Sequence, residues 1–138
     1  ITLAHPKGFE LDENIIDSVK GNVDQYGGSF EVSHDMDEAF EGADVVYPKS
    51  WTSMQAIPPV TDKPDWDKAT KLFEENKDWI TTQEKMDLTN DAHYMHCLPA
   101  DRGQEVTDEV IDGPNSIVFD EAGNRLHAQK AVQALFMR

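Results

Sequence analysis

The chain has 138 residues, 38% of them hydrophobic and 9% aromatic, enough for one sizeable core and too few for two ordinary domains. With 27 acidic against 12 basic residues its formal charge is −15, which argues against a surface that tracks nucleic-acid phosphates or a basic membrane-seeking face. No stretch approaches a membrane-spanning apolar run, and the opening "ITLAHPKGFE" lacks the basic region and apolar core of a signal peptide, so a soluble protein is expected. A single cysteine cannot staple the fold, which suits a reducing, cytoplasmic setting.

Taken in chain order, "TLAH" at 2 to 5 reads as a short strand ended by the turn "PKG". Asp12 is placed to cap a helix with an apolar stripe at Ile15, Ile16 and Val19, stopped by Gly27 and Gly28. "SFEVS" alternates like a half-buried strand, and Asp35 precedes "MDEAFEGA", a short helix closed by Gly42. "DVVYP" is a brief apolar run ended by proline. Residues 55 to 80 interrupt the pattern with three prolines, many charges and two tryptophans, and predict a long excursion holding one helix near 65 to 76.

"HYMHCLP" repeats the design of "DVVYP", and "NSIVFDEA" predicts a third strand of the same kind. The final "NRLHAQKAVQALFMR" places Leu126, Ala131, Val132, Leu135 and Phe136 at spacings suited to an amphipathic helix. Strands alternating with helices give the fold class: α/β, a Rossmann-like open parallel sheet with helices on both faces, in a single domain over 1–138.

In such a sheet the loops leaving the carboxyl ends of the strands gather along one edge. Three of those loops carry groups able to bind an anion or move a proton: Lys49, Ser50 and Ser53; His96, Cys97 and Arg102; Glu121, Asn124 and Arg125. Singly, each has a plain structural reading. Cys97 at a strand end suits an inert buried thiol, His96 suits a hydrogen bond to backbone, and Arg125 suits a salt bridge to Glu121. His93, His96 and Cys97 crowd one strand without a second pair of ligands, so no metal site is expected, and no glycine-rich phosphate loop is present.

The ordered motifs add more. "HCLPADR", followed by "EVTDEVIDGPNSIVFDEAGNRLHAQKAV", resembles the carboxyl-terminal part of ornithine-type carbamoyltransferases, where "HCLP" precedes a "DEVFDSPxSxVFxEAENR" pattern; "GADVVYPKSWTSM" is similar to the same family's "D-x-W-x-SMG" strand and loop. The fit is nearest to the branch that acts on N-acylated ornithine or on unassigned amines, which reads "KSW" at this loop.

The resemblance implies most of the amino-acid-binding domain of a cytoplasmic, usually trimeric enzyme of arginine metabolism. That enzyme moves the carbamoyl group of carbamoyl phosphate to an amine, with no metal or organic cofactor. The "S-x-R-T" motif of the carbamoyl phosphate domain does not occur in these residues, so this piece by itself is expected to be inactive. By resemblance Arg125 helps hold carbamoyl phosphate, His96 donates to the carbamoyl oxygen, Cys97 and the Leu98 carbonyl face the reacting nitrogens, and Ser53 and Met54 lie near the amino acid. Lys49 departs from the ornithine pattern, which has Asp there to suit a free α-ammonium. A lysine repels that ammonium and welcomes an acyl oxygen or carboxylate, so an N-acylated or otherwise α-blocked amine is expected. The alternative is a non-catalytic Rossmann-like module that binds a small anion or a partner.

Overall fold

The computed structural model describes residues 1–49, 53–58 and 63–137, and the chain divides into two compact units. The first comprises Ile1–Glu41 and Trp51–Trp79; the second comprises Gly42–Ser50 and Ile80–Arg138.

In the first unit, β1 (Thr2–Ala4) pairs in parallel with β2 (Glu31–Ser33), Leu3 opposite Val32. Between them runs α1 (Glu13–Tyr26), whose first turn is capped by the Asp12 carboxylate accepting from the Asn14 N–H. It ends where Gly27 and Gly28 take φ values of 82° and 104°, a left-handed region that costs a side-chain-bearing residue and is open to glycine. The apolar stripe of α1 is rotated from the expected one: Ile16, Val19 and Val23 are half-buried, whereas Ile15 is exposed. On β2 the expected alternation is also reversed. Val32 is exposed and Ser33 buried, its hydroxyl donating to Glu38 at 2.8 Å.

The short α2 (Met36–Phe40) is capped by Asp35, which accepts from the N–H groups of Asp37 and Glu38, and it buries Met36 and Phe40 against β1 and β2. Its compactness follows from its sequence: a strong cap, two acidic residues in the first turn that suit the positive end of the helix dipole, and Gly42 at φ 69° just beyond. The excursion does hold one helix where expected, α3 (Trp66–Glu75), capped by Asp65 accepting from the Lys68 N–H.

In the second unit, β3 (Val45–Val46) pairs in parallel with β4 (His93–Tyr94). Tyr94 also bridges in parallel to Ser116, through Tyr94 N–H to Asn115 O and Ile117 N–H to Tyr94 O, both 2.9 Å. The third strand expected at "NSIVF" is therefore reduced to this one bridge. Residues from Val118 onward belong to α6 (Val118–Phe136), because Asp120 and Glu121 are well placed in a first turn and the helix ladder satisfies more backbone groups than a strand edge would. Two single-turn helices, α4 (Gln83–Met86) and α5 (Asp108–Ile111), pack on each other and bury Met86, Val110 and Ile111 with Ala92, Tyr94 and Val106.

The amphipathic reading of the last helix does not hold. Val118 is its buried residue, while Leu126, Val132, Leu135 and Phe136 are all exposed. Each unit is thus α/β with parallel pairing, as expected, but the parallel ladder is carried by two separate pairs among the described residues.

Two glycines give opposite tests of this packing. A Cβ on Gly113 would lie 2.5 Å from the Glu109 carbonyl oxygen, a backbone atom of α5. Gly113→Ala should therefore destabilise by about 1–3 kcal/mol. Gly123 lies inside α6 with open space around it, and Gly123→Ala should stabilise by about 0.5–1 kcal/mol. Urea unfolding of the two variants checks both signs.

Candidate active site

Strand β4 delivers its next residues to the carboxyl end of the second unit's parallel pair, and the alternation of a strand decides which face inward. Tyr94 and His96 are buried, at 0% and 1% exposure, whereas Cys97 and Leu98 are exposed. The thiol that burial preferences assign to the core is in fact presented to solvent. Only the imidazole goes inside.

The turn is held from three directions. The His96 N–H donates to Glu121 Oε2 at 3.1 Å, and the other Glu121 oxygen accepts from the Tyr47 hydroxyl at 3.0 Å. Glu121 in the first turn of α6 thereby joins the chain leaving β3 to the chain leaving β4. The Cys97 thiol also lies against the Tyr47 hydroxyl. Removal from water, then the bond to the anionic Glu121, pushes the Tyr47 phenol up to about 12, so it remains a donor at neutral pH.

Third, the Leu98 N–H donates to His96 Nδ1 at 2.9 Å, with Leu98 at φ 48°. The remaining ring nitrogen, Nε2, lies 3.4 Å from Glu105 Oε2, with both side chains at 1% exposure or less. The donor role expected of His96 needs that Nε2 proton, which here faces a buried carboxylate.

The other expected residues fall as follows. Lys49, just after β3, and Arg125, within α6, both belong to the second unit and are exposed; neither has an ion-pair partner among the described residues. The salt bridge from Arg125 to Glu121 is not formed, because Glu121 is engaged with Tyr47 and His96. Arg125 lies seven residues into α6, which begins at Val118.

Arg102, grouped with His96 in the sequence, is drawn away. Its guanidinium donates to Asp108 at 2.7 Å and to both oxygens of Asp112, at 2.5 and 2.8 Å. This clasp raises the guanidinium above its ordinary value and holds the Asp112 carboxyl below the usual range. Ser53 and Met54 belong to the first unit, where the buried Ser53 hydroxyl donates to the Gly8 carbonyl at 2.5 Å. Ser50 lies outside the described residues.

Among the described residues no group of three or more His, Cys, Asp or Glu is arranged to hold a metal ion. No described helix is long and apolar enough to cross a membrane. What the second unit presents is a turn with Cys97 and Leu98 exposed, and Lys49 and Arg125 exposed in the same unit. That is the equipment for positioning a small polar substrate that carries negative charge.

The family model for the aspartate/ornithine carbamoyltransferase Asp/Orn-binding domain matches residues 1–136. The chain belongs to the aspartate/ornithine carbamoyltransferase family. It is 45% identical over 137 residues to the anabolic ornithine carbamoyltransferase of Pyrococcus furiosus, covering 99% of this chain and 41% of that protein. It is 42% identical over 135 residues to the N-acetylornithine carbamoyltransferase of Xylella fastidiosa, covering 97% of this chain and 38% of that one.

Solved carbamoyltransferases have the same α/β, Rossmann-like fold. An acetylornithine transcarbamylase complexed with acetylcitrulline superposes with a TM-score of 0.87 at 42% identity, over 97% of this chain and 39% of its own. A variant N-acetyl-L-ornithine transcarbamylase complexed with carbamyl phosphate and N-succinyl-L-norvaline gives the same TM-score, identity and coverage. The chain thus spans about two-fifths of the length of the carbamoyltransferases it matches.

The clasp on Arg102 makes a pH prediction. Asp112 has a lower pKa folded than unfolded, so its stabilising contribution is full above the ordinary aspartate value of about 3.9 and is lost as the pH falls through the lower folded value. The gap in melting temperature between the parent chain and Asp112→Asn should therefore be widest near neutrality and close in acid. Thermal melts between pH 7 and 2.5 measure it.

Proposed function

We propose that these residues form the amino-acid-binding part of an enzyme that transfers the carbamoyl group of carbamoyl phosphate to the amine of an ornithine-like substrate whose α-amino group is acylated or otherwise blocked. The observation that carries the reading is the turn after β4. It leaves Cys97 and Leu98 exposed on a backbone held by Glu121 and His96, within a chain that matches the amino-acid-binding domain of the family along nearly its whole length. Carbamoyl phosphate, the carbamoyl phosphate domain and a trimeric assembly belong to this proposal, as does a cytoplasmic setting.

The chemistry is attack of a neutral amine on the carbamoyl carbon. The C–N bond forms, a tetrahedral intermediate collapses, and the C–O bond to phosphate breaks while the nitrogen gives up a proton. Such a step depends chiefly on holding two reactants in line and on donors for the developing oxyanion. In the proposed arrangement Arg125 supports the phosphate, and its freedom from Glu121 leaves the guanidinium fork available. Cys97 and the Leu98 carbonyl face the nitrogen, and Ser53 and Met54 lie toward the amino acid. On this reading residues 1–138 supply the amino-acid side of the site and turn over nothing by themselves.

Identity alone does not choose between ornithine and acylornithine, since relatives of both kinds match at 42 to 45%. The choice rests on Lys49. It is exposed and has no ion-pair partner among the described residues, so its charge is available to a ligand. At an effective dielectric of about 20, reversing one charge at roughly 4 Å changes the interaction by several kcal/mol, easily enough to discriminate a free α-ammonium from an acyl oxygen.

The test is carbamoylation by the full-length enzyme of ornithine, N-acetylornithine, N-succinylornithine and putrescine. An acylated ornithine should exceed ornithine in kcat/KM by about tenfold or more, and Lys49→Asp should move that ratio toward ornithine by a similar factor. Faster turnover of ornithine than of every acylated analogue would overturn the substrate reading. Lack of carbamoyl transfer to any of the four amines would overturn the reaction itself.

A further inference from the structure

Glu105 is a buried carboxylate to which the proposed reaction gives no role, and its surroundings suggest one. It is 2% exposed, in a loop closed by bonds from its own N–H to Asp101 O at 2.8 Å and from the Thr81 N–H to its carbonyl at 2.9 Å. A carboxylate is costly to bury unless it is matched with donors. Oε2 accepts from the Asp101 N–H at 2.7 Å and lies 3.4 Å from His96 Nε2, a ring nitrogen that makes no hydrogen bond among the described residues. The other oxygen, Oε1, has no hydrogen-bond partner among the described residues.

The far side of the His96 ring fixes the protons. Nδ1 accepts from the Leu98 N–H, so Nδ1 carries no proton. The ring is then the Nε2–H tautomer, and Nε2 lies 3.4 Å from Glu105 Oε2 without completing a hydrogen bond among the described residues, a separation at which the buried carboxylate still favours a proton on that nitrogen. Neither the Nδ1–H tautomer nor an imidazolium could accept from Leu98. The bond to Leu98 matters because Leu98 sits at φ 48°, in the left-handed region that a residue with a side chain occupies at a cost and only where neighbours enforce it.

We propose that Glu105 is a positioning residue: by holding His96 in the Nε2–H tautomer it makes Nδ1 an acceptor, which locks Leu98 in its left-handed turn and so aims the Leu98 carbonyl and the Cys97 thiol at the substrate. The catalytic half of this statement rests on the carbamoyltransferase reading above. The structural half stands without it. His96 then acts through the shape of the turn, with neither ring nitrogen turned toward ligand.

Two substitutions separate this from an ion pair. In Glu105→Gln the amide oxygen can keep the bond from the Asp101 N–H and the place beside Nε2 that Oε2 now holds, and the amide nitrogen replaces an oxygen that has no hydrogen-bond partner among the described residues, so tautomer and turn should survive. Glu105→Leu removes the acceptor. Side-chain nitrogen NMR on the full-length enzyme, with the His96 signals assigned by their loss in His96→Asn, reads the tautomer directly. The expected result is a protonated Nε2 and bare Nδ1 in the parent and in Glu105→Gln, and a mixed or inverted tautomer in Glu105→Leu.

In turnover, Glu105→Leu should lose roughly ten- to hundredfold in kcat/KM for the amine, the range expected of a small misplacement of reacting groups, while Glu105→Gln stays within about threefold. A His96 protonated on Nδ1 in the parent, a Glu105→Gln variant as damaged as Glu105→Leu, or a Glu105→Leu variant with tautomer and turnover intact would each overturn the proposal. Should Glu105→Leu not fold, the parent spectrum and Glu105→Gln still decide it. Should the enzyme transfer no carbamoyl group, the carbamoyltransferase reading fails while the tautomer is judged by NMR alone.

Discussion

The Glu121 carboxylate ties together what parallel pairing alone leaves loose. Parallel strands place their exits side by side, but β3 and β4 are only two residues long, so their ladders cannot hold the following loops in register. Glu121 supplies two further bonds beyond the ladder, to the Tyr47 hydroxyl and to the His96 N–H. The same carboxylate sits in the first turn of α6, where the helix dipole favours its negative charge. Helix, strand exit and candidate site are therefore mutually dependent. Neutralising this one group would weaken both bonds and remove its favourable charge from the start of α6.

The strongly acidic composition bears on how cations are used. With 12 Lys and Arg against 27 acidic residues, carboxylates far outnumber the cations that compete for them. Arg102 illustrates the outcome, held by Asp108 and Asp112 and withdrawn from ligand chemistry. Lys49 and Arg125 escape pairing among the described residues, and in so negative a protein an unpaired cation marks a local reversal of the field that an anionic substrate would meet.

Much of this was legible in the sequence, for identifiable reasons. Helix limits were readable wherever a carboxylate cap and a glycine stop flank the segment, as at Asp12 with Gly27 and at Asp35 with Gly42, because both signals are local. The strand at "NSIVF" was not, since a short apolar run reads alike as strand or helix start, and the helix ladder claimed it from Val118 onward. Burial was misread where it depends on tertiary placement: Ile15 and Val32 face water, and Cys97 is exposed because strand alternation, with His96 taking the inner position, overrides the burial preference of a thiol. The motif "HCLP" identified the turn. Glu105 and Tyr47, which support it, had no signal of their own, as glutamates are seldom buried and nothing local announces a partner nine residues away.

The alternation through the turn after β4 has a consequence for how this segment can change. Substitution at Leu98 alters an exposed side chain, whereas inserting or deleting one residue between Tyr94 and Leu98 would exchange inside for outside. The imidazole would be stranded in solvent and the thiol set against a carboxylate that it can serve only weakly as a donor. The segment is therefore strict in count: a change of length disturbs it more than replacement of the exposed Leu98 side chain does.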